Sequence, residues 1–291
     1  MILQYLVNGV VAGAAFALIA LGFALIFTAT RVFHFGHGGV YAVSTFAGYS
    51  ALQFLPFGVL GAFVVAAVAG AILGVVINRT LYEPMQRSGV SHFVMMISSF
   101  GVLIILTYVT AIIWGSTPVV LRDGSLVNTF RIGPIYITAT QLQILTITLI
   151  LAVALNLFFK KTRLGIAIRA LGNDPELAEV MGMPARRLRD AALAVGSALA
   201  GVSGLLVGFN VGIIDFDMGH EAILMATVAI IIGGLGNLGA AAGGGLVLGV
   251  VQHLAVWQVS AKWQIAISFA VLILILLFRP QGLFGEKRRQ V

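Results

Sequence analysis

Long apolar runs alternate with short polar connections along the whole chain. Runs of about 20 residues match what a helix needs to cross a hydrocarbon core roughly 30 Å thick. They recur near residues 2–28, 38–55, 57–78, 93–114, 139–159, 190–212, 222–235, 240–257 and 262–278. The strict apolar–polar alternation of membrane-spanning strands is absent. The pattern predicts an all-α, polytopic transmembrane helix bundle of about eight to ten spans, forming a single domain over residues 1–291. Pro56 and Gly58 punctuate the second connection and Arg79–His92 the third. The count stays open because residues 222–257 hold no Asp, Glu, Lys or Arg and are interrupted by the glycine-rich IIGGLGNLGAAAGGG at 231–245. One half of that stretch is expected to be a discontinuous or re-entrant helix.

Composition narrows the class. The chain is 60% hydrophobic and 9% charged, with a mean hydropathy of +1.06, which fits an integral membrane protein and not a soluble domain. Its 35 glycines are about 12% of the chain, against a usual share of roughly 7%. Gly9 and Gly13, Gly70 and Gly74, Gly204, Gly208 and Gly212, and Gly245 and Gly249 are each four apart on one helical face, a spacing that lets backbones approach closely. With no cysteine, disulfides and thiolate chemistry are excluded. No Lys or Arg precedes Arg31, so the basic start of a cleavable signal is missing and the first run is expected to remain as a span.

The net charge of +7 lies in the connections, so it reads as membrane topology and implies no nucleic-acid partner. If the connections after spans one, three, five and seven and the C-terminus share a side, that side holds Arg31, Arg79, Arg87, the seven bases from Lys160 to Arg189 and the four from Arg279 to Arg289. These are 14 of the 17 basic residues. The positive-inside rule then puts the N-terminus outside and the C-terminus in the cytoplasm.

Several mechanisms lack their chemistry. Proton- or sodium-coupled carriers place ionisable groups inside the membrane, whereas all ten acidic residues here fall in predicted connections or at span ends. No GxxxxGK[ST] phosphate loop, HExxH or GxSxG occurs, so the chain is not expected to be an enzyme or to bind a nucleotide, metal or other cofactor itself. Uphill movement of a solute would draw its energy from another subunit. A passive channel and a membrane scaffold remain the competing classes.

One stretch stands apart. In the connection at about 160–190, RALGNDPELAEVMGMPARR (Arg169–Arg187) contains a well-specified short helix. Asp174 suits the N-cap, Pro175 the first helical position, Glu176 and Glu179 the positive N-terminal end, and Gly182 the exit. Pro184 starts a further helical segment carrying Arg186, Arg187 and Arg189. A helix of about two turns is marginal in water and needs a surface. It either rests on its own spans as a connector or docks as a coupling helix on a cytoplasmic ATPase, with Asn173, Asp174, Pro175, Glu176, Glu179, Gly182, Arg186 and Arg187 as the contact set.

On the opposite side the outer loop at about 115–138 carries Asp123-Gly124 between β-prone residues, which predicts a small hairpin acting as lid, docking surface or simple connector. Polar or helix-breaking residues inside apolar runs are the pathway candidates: Asn8, His34, His37, Gly38, Asn210, Gly233, Gly234 and Asn237. A histidine held by a backbone carbonyl competes with a substrate-contacting one at His37.

Four stretches in register also carry a family likeness. Gly165, Arg169, Ala170, Asn173, Ala178, Gly182 and Arg186-Arg187 with GSALAGVSGLL from Gly196, then RVFHFGHGG from Arg31, EAILMATVAIIIGGLGNLGAAAGGGLVLG from Glu221, and LLFRPQGLFG over Leu276–Gly285 resemble the branched-chain amino-acid ABC permeases of the LivH type, in a family that also includes sugar permeases. The likeness covers essentially the whole chain, with His34 and Gly36 standing where the family usually has Asn and Ala. It implies a permease subunit in a bacterial inner membrane for branched-chain or related small amino acids, or alternatively urea, amides or aromatic acids. It further implies a second LivM-like permease subunit, two LivG/LivF-like ATP-binding subunits that carry ATP and Mg2+, and an extracytoplasmic solute-binding protein.

Overall fold

The computed structural model describes residues 2–121 and 128–285. Seven helices among them are long and apolar enough to cross a membrane: Ile2–Thr30, Gly58–Arg87, His92–Trp114, Ala139–Lys161, Ala185–Val211, Leu238–Val256 and Ala261–Phe278. The protein is an all-α polytopic membrane bundle with discontinuous helical elements. The nine expected runs all become helical, but two differ from a simple span. Helix α2 (Gly36–Phe54) carries His, Ser and Thr among its buried residues. Helix α10 (Met218–Gly233) has 16 residues, about 24 Å of rise, short of the hydrocarbon thickness.

Two compact units divide the chain. The first comprises the described residues of 1–24, 122–153 and 224–291, and the second 25–121 and 154–223. The second is built on α2. Around it pack α3 (Gly58–Ile77), α5 (His92–Trp114) and α9 (Ala185–Val211). Small residues make this packing possible: a Cβ at Gly70 would meet Ser44 Oγ at 3.1 Å and the Ser197 carbonyl, and one at Gly74 would meet Ser197 Oγ at 2.5 Å. Without a hydrophobic drive between helices in lipid, such close contact supplies the association. Ile26, Val32, Val40, Ile77, Tyr82, Met95 and Leu193 form the apolar cluster at one end of this unit.

The span expected to stop at residue 78 does not stop. It passes through a π-turn (Asn78–Tyr82) into α4 (Glu83–Arg87), with Glu83 N–H donating to Asn78 O, one residue beyond the α-helical partner. Pro84 has no N–H and its ring crowds the carbonyl four residues back, and a widened turn relieves that crowding.

In the first unit, the paired glycines of α1 (Ile2–Thr30) and α11 (Leu238–Val256) interlock. A Cβ at Gly9 would lie 2.8 Å from Val250 Cα, and one at Gly13 2.9 Å from Leu246 Cα. Reciprocally, Gly245 faces the Ala17 backbone and Gly249 faces Gly13. A buried bond pairs Gln252 Nε2 with Ser268 Oγ on α12 (Gln264–Phe278). A hairpin forms in the outer loop, though around a different turn from the expected one, as β2 (Thr129–Ile132) against β3 (Ile135–Thr138), in the register Thr129↔Thr138 to Ile132↔Ile135. Its turn is Gly133-Pro134, with Gly133 at φ 61°. Asp123-Gly124 lies outside the described residues. Gln4 fixes the hairpin to α1 by donating to Tyr136 O at 2.9 Å and accepting from Tyr136 N at 2.8 Å. A second, short ladder pairs β1 (Val119–Val120) with β4 (Ile213–Ile214) in the second unit.

Candidate functional site

The polar connection between α6 (Ala139–Lys161) and α9 folds as two helices, not one. Helix α7 (Arg163–Asn173), unexpected from the residues alone, starts with Thr162 Oγ1 accepting from Gly165 N at 3.0 Å. Helix α8 (Pro175–Val180) follows at once. Asp174 Oδ1 accepts from Leu177 N at 2.9 Å, Pro175 takes the first helical position, and Gly182 at φ 77° leads the chain out. A left-handed residue just past a helix suits glycine because no Cβ meets the following carbonyl. Pro184 then caps α9, which runs unbroken from Ala185, so the segment bearing Arg186 and Arg187 is continuous with the following span.

Only Ala178 of α8 is buried. Leu177 is 57% exposed, Val180 83% and Met181 70%, beside exposed Asn173, Glu176 and Glu179. These three uncovered apolar side chains among carboxylates make α8 and the residue after it an exposed knob. Two of the nearby charged residues, Glu179 and Arg186, have partners within the chain. Glu179 lies 3.7 Å from Arg189, and Arg186 lies 4.0 Å from Glu83, which Arg87 also holds at 2.8 Å. Arg187 is exposed.

Two contacts tie this loop and the start of α9 to the rest of the second unit, and a third joins the α1–α2 segment to the π-turn. Arg31, in the left-handed region at φ 57°, donates through Nε to Gly172 O at 2.9 Å at the end of α7, with Nη2 on the same oxygen. Asp190, 8% exposed, accepts from Asn78 Nδ2 at 2.7 Å and from Arg79 Nε at 3.0 Å, with Arg79 Nη2 at 2.9 Å. His34 Nδ1 and Tyr82 Oη are 2.5 Å apart. Arg31, Asn78, Tyr82, Glu83 and Asp190 were missed from sequence. The available signal was an aspartate in the second turn of an apolar helix, which burial makes costly unless donors meet it.

Among the pathway candidates, His34, His37 and Gly38 gather at the start of α2. Both histidines are fully buried, with ring centroids 6.0 Å apart, and Gly38 backs onto the Gly219 carbonyl. Asn210 is exposed at the penultimate position of α9. Asn8 accepts from Gln4 Nε2 at 3.1 Å. Asn237 is the exposed N-cap of α11, accepting from Gly239 N at 2.9 Å and Ala240 N at 3.3 Å, while Gly233 and Gly234 close the α10–α11 turn. There the C-terminal segment lies across the helix end, with Leu283 N donating to Ile232 O at 2.7 Å and Phe284 N to Gly233 O at 3.0 Å.

A bundle of long apolar helices with buried glycine crossings defines a polytopic membrane protein. The chain belongs to the family described as branched-chain amino acid transport system, permease component, whose model matches residues 5–276. It is similar to the high-affinity branched-chain amino acid transport system permease protein LivH of Escherichia coli K12, 32% identical over 301 residues, covering 98% of this chain and 96% of the relative. The LivH of Salmonella typhimurium LT2 is 32% identical over 296 residues with the same coverage, and BraD of Pseudomonas aeruginosa, of the same description, is 29% identical. In fold the chain resembles PsaBC from Streptococcus pneumoniae in complex with Fab, at a TM-score of 0.52 and 16% identity, covering 97% of this chain and 93% of that one.

Proposed function

We propose that this chain is the translocating subunit of an ATP-driven importer of branched-chain or related small amino acids, acting as one permease domain with residues 160–190 as its coupling loop and 115–138 as its outer loop. The relatives' descriptions support these substrates over urea, amides or aromatic acids. ATP and Mg2+ belong to two partner ATPases, a second permease subunit completes the membrane part, and a solute-binding protein delivers the substrate. The distribution of bases supports an outside N-terminus and cytoplasmic C-terminus in a bacterial inner membrane.

The observation that carries this reading is α8, a capped helix whose Leu177, Val180 and Met181 are left uncovered by the second unit. Docked in an ATPase cleft, those side chains leave water and Asn173, Glu176, Glu179, Arg186 and Arg187 form the polar rim. His34, His37 and Gly38 are assigned to the translocation path in this reading, supported by their burial together at the start of α2. The test is reconstitution of the permease pair with its ATPases in liposomes. Expected are ATP hydrolysis stimulated by binding protein loaded with leucine, isoleucine or valine, and uptake that needs ATP. Uptake by the chain alone, or driven by a proton gradient, would contradict it.

A further inference from the structure

At the end of the second unit where α3 meets its π-turn and α9 begins, two buried carboxylates stand among four arginines. Glu83 and Asp190 are each 8% exposed, and Arg79, Arg87, Arg186 and Arg189 reach to them or to Glu179. Asp190 is the more telling. Its partners come from one place, the first two residues of the π-turn, and three N–H donors on one carboxylate make a directional, charge-assisted joint. The end of α3 is therefore held to the second turn of α9.

The N-terminal side of that joint has little slack. Met183 N donates to Ala178 O at 3.0 Å, Ala185 N to Met183 O at 2.8 Å and Leu188 N to Pro184 O at 3.1 Å, so the connector between α8 and α9 is bonded at successive steps. Arg189, one residue before Asp190, reaches Glu179 on α8. A displacement of α8 arrives at Asp190 without an intervening flexible loop.

Beyond the joint lies the Asn78–Tyr82 π-turn. A π-turn holds one more residue than an α-turn. Closing Asn78–Tyr82 to α-helical register would rotate Tyr82 by about 100° around the axis and carry its hydroxyl away from His34. His34 belongs to the non-helical residues between α1 and α2, the same short segment from which Arg31 grips α7.

We propose that Asp190 is a positioning residue that passes the stroke of α8 to the start of α2, with the Asn78–Tyr82 π-turn as the two-position element between them. While Asp190 holds Asn78 and Arg79, the wide turn keeps Tyr82 on His34; when α9 draws Asp190 away, the turn closes and the α1–α2 segment is released. This rests on the reading of α8 as the ATPase contact.

The test uses the reconstituted transporter with its partner ATPases and binding protein, and reads amino-acid molecules taken up per ATP hydrolysed. Asp190→Asn keeps the shape and an acceptor for Asn78 but removes the charge that faces the Arg79 fork. The expected result is at least a fivefold fall in that ratio, with stimulated ATP hydrolysis per assembled complex retained within twofold. Because a change at buried Asp190 can also lower assembly, Arg79→Ala, whose side chain is 56% exposed, and Tyr82→Phe, which removes only the hydroxyl, provide second arms. Both should lower the ratio, and Arg79→Lys should recover most of it. In a serial linkage Asp190→Asn with Tyr82→Phe is no worse than the poorer single variant. A ratio equal to wild type, uptake and hydrolysis falling together with the amount of complex, or a double variant whose losses multiply would each overturn the proposal. Failure of the underlying reading looks different, since the wild-type complex itself would then show no ATP-dependent uptake.

Discussion

Two helix-to-helix turns of the chain are built from the same local chemistry and end up with opposite surfaces. Before α8, Asp174 accepts from one backbone amide; before α11, Asn237 accepts from two. Each cap meets amide donors that a helix start leaves without intrahelical partners. Yet the turn at 233–237 is covered by its own chain, with Leu283 and Phe284 bonded to the end of α10 and a Cβ at Gly234 set to meet Gly285 Cα at 2.9 Å, whereas α8 leaves its apolar residues open. Among the described residues one turn is covered by its own chain and the other is not. The proposed docking of α8 on an ATPase would account for that difference.

The largest effect expected is on the closed turn. A Cβ at Gly233 would sit 2.6 Å from the Ala240 carbonyl carbon and 3.0 Å from Ala241 N, all backbone atoms that cannot rotate away. Gly233→Val should cost about 3 kcal/mol of stability, at the upper end of overpacking penalties. It should cut the yield of monodisperse protein in detergent and lower its thermal unfolding temperature. Wild-type stability would mean that α10 and α11 do not need this contact.

Next comes the open turn, where the change should be in activity instead. Val180→Glu places a charge in the middle of the uncovered face without touching any buried residue. Uptake by the reconstituted transporter should fall about tenfold, near 1.4 kcal/mol, with the unfolding temperature unchanged. Equal uptake would show that α8 is a connector and leave the importer reading to rest on family membership.

Much of this contrast was legible beforehand, and its limits have physical reasons. The cap, the proline and the exit glycine of α8 are local signals, so Asp174, Pro175 and Gly182 appeared where the residues put them. The glycine faces of α1 and α11 were likewise visible as spacing, although which helix each would meet was not. Helix α7 was legible in principle, since Gly165, Ile168, Leu171 and Gly172 share a buried face at helical spacing, but that pattern is overshadowed by the apolar runs beside it. The Asp190 joint was hidden for a deeper reason. A carboxylate near a span end reads as solvated, and only the fold reveals that Asn78 and Arg79, more than a hundred residues earlier, turn to meet it. The π-turn has no periodicity of its own to announce it beyond Pro84.

The smallest effect is the most discriminating, because it perturbs both turns by the same chemistry. Asp174→Ala and Asn237→Ala each remove a capping oxygen and should each cost about 1 kcal/mol or less, measured as matched small falls in unfolding temperature. Their functional consequences should separate. Helix α8 has six residues, too few to persist without its cap or a surface, so Asp174→Ala frays the knob and lowers uptake per ATP roughly twofold, and Asp174→Ser, a cap of similar strength, restores it. Helix α11 has 19 residues locked to α1 by glycine contacts, so losing its first cap leaves the rest in place and uptake follows only the amount of folded protein. An added loss of uptake in Asn237→Ala would return Asn237 to the translocation path, while equal losses in both variants would dissolve the distinction between a turn built for a partner and a turn built for the fold.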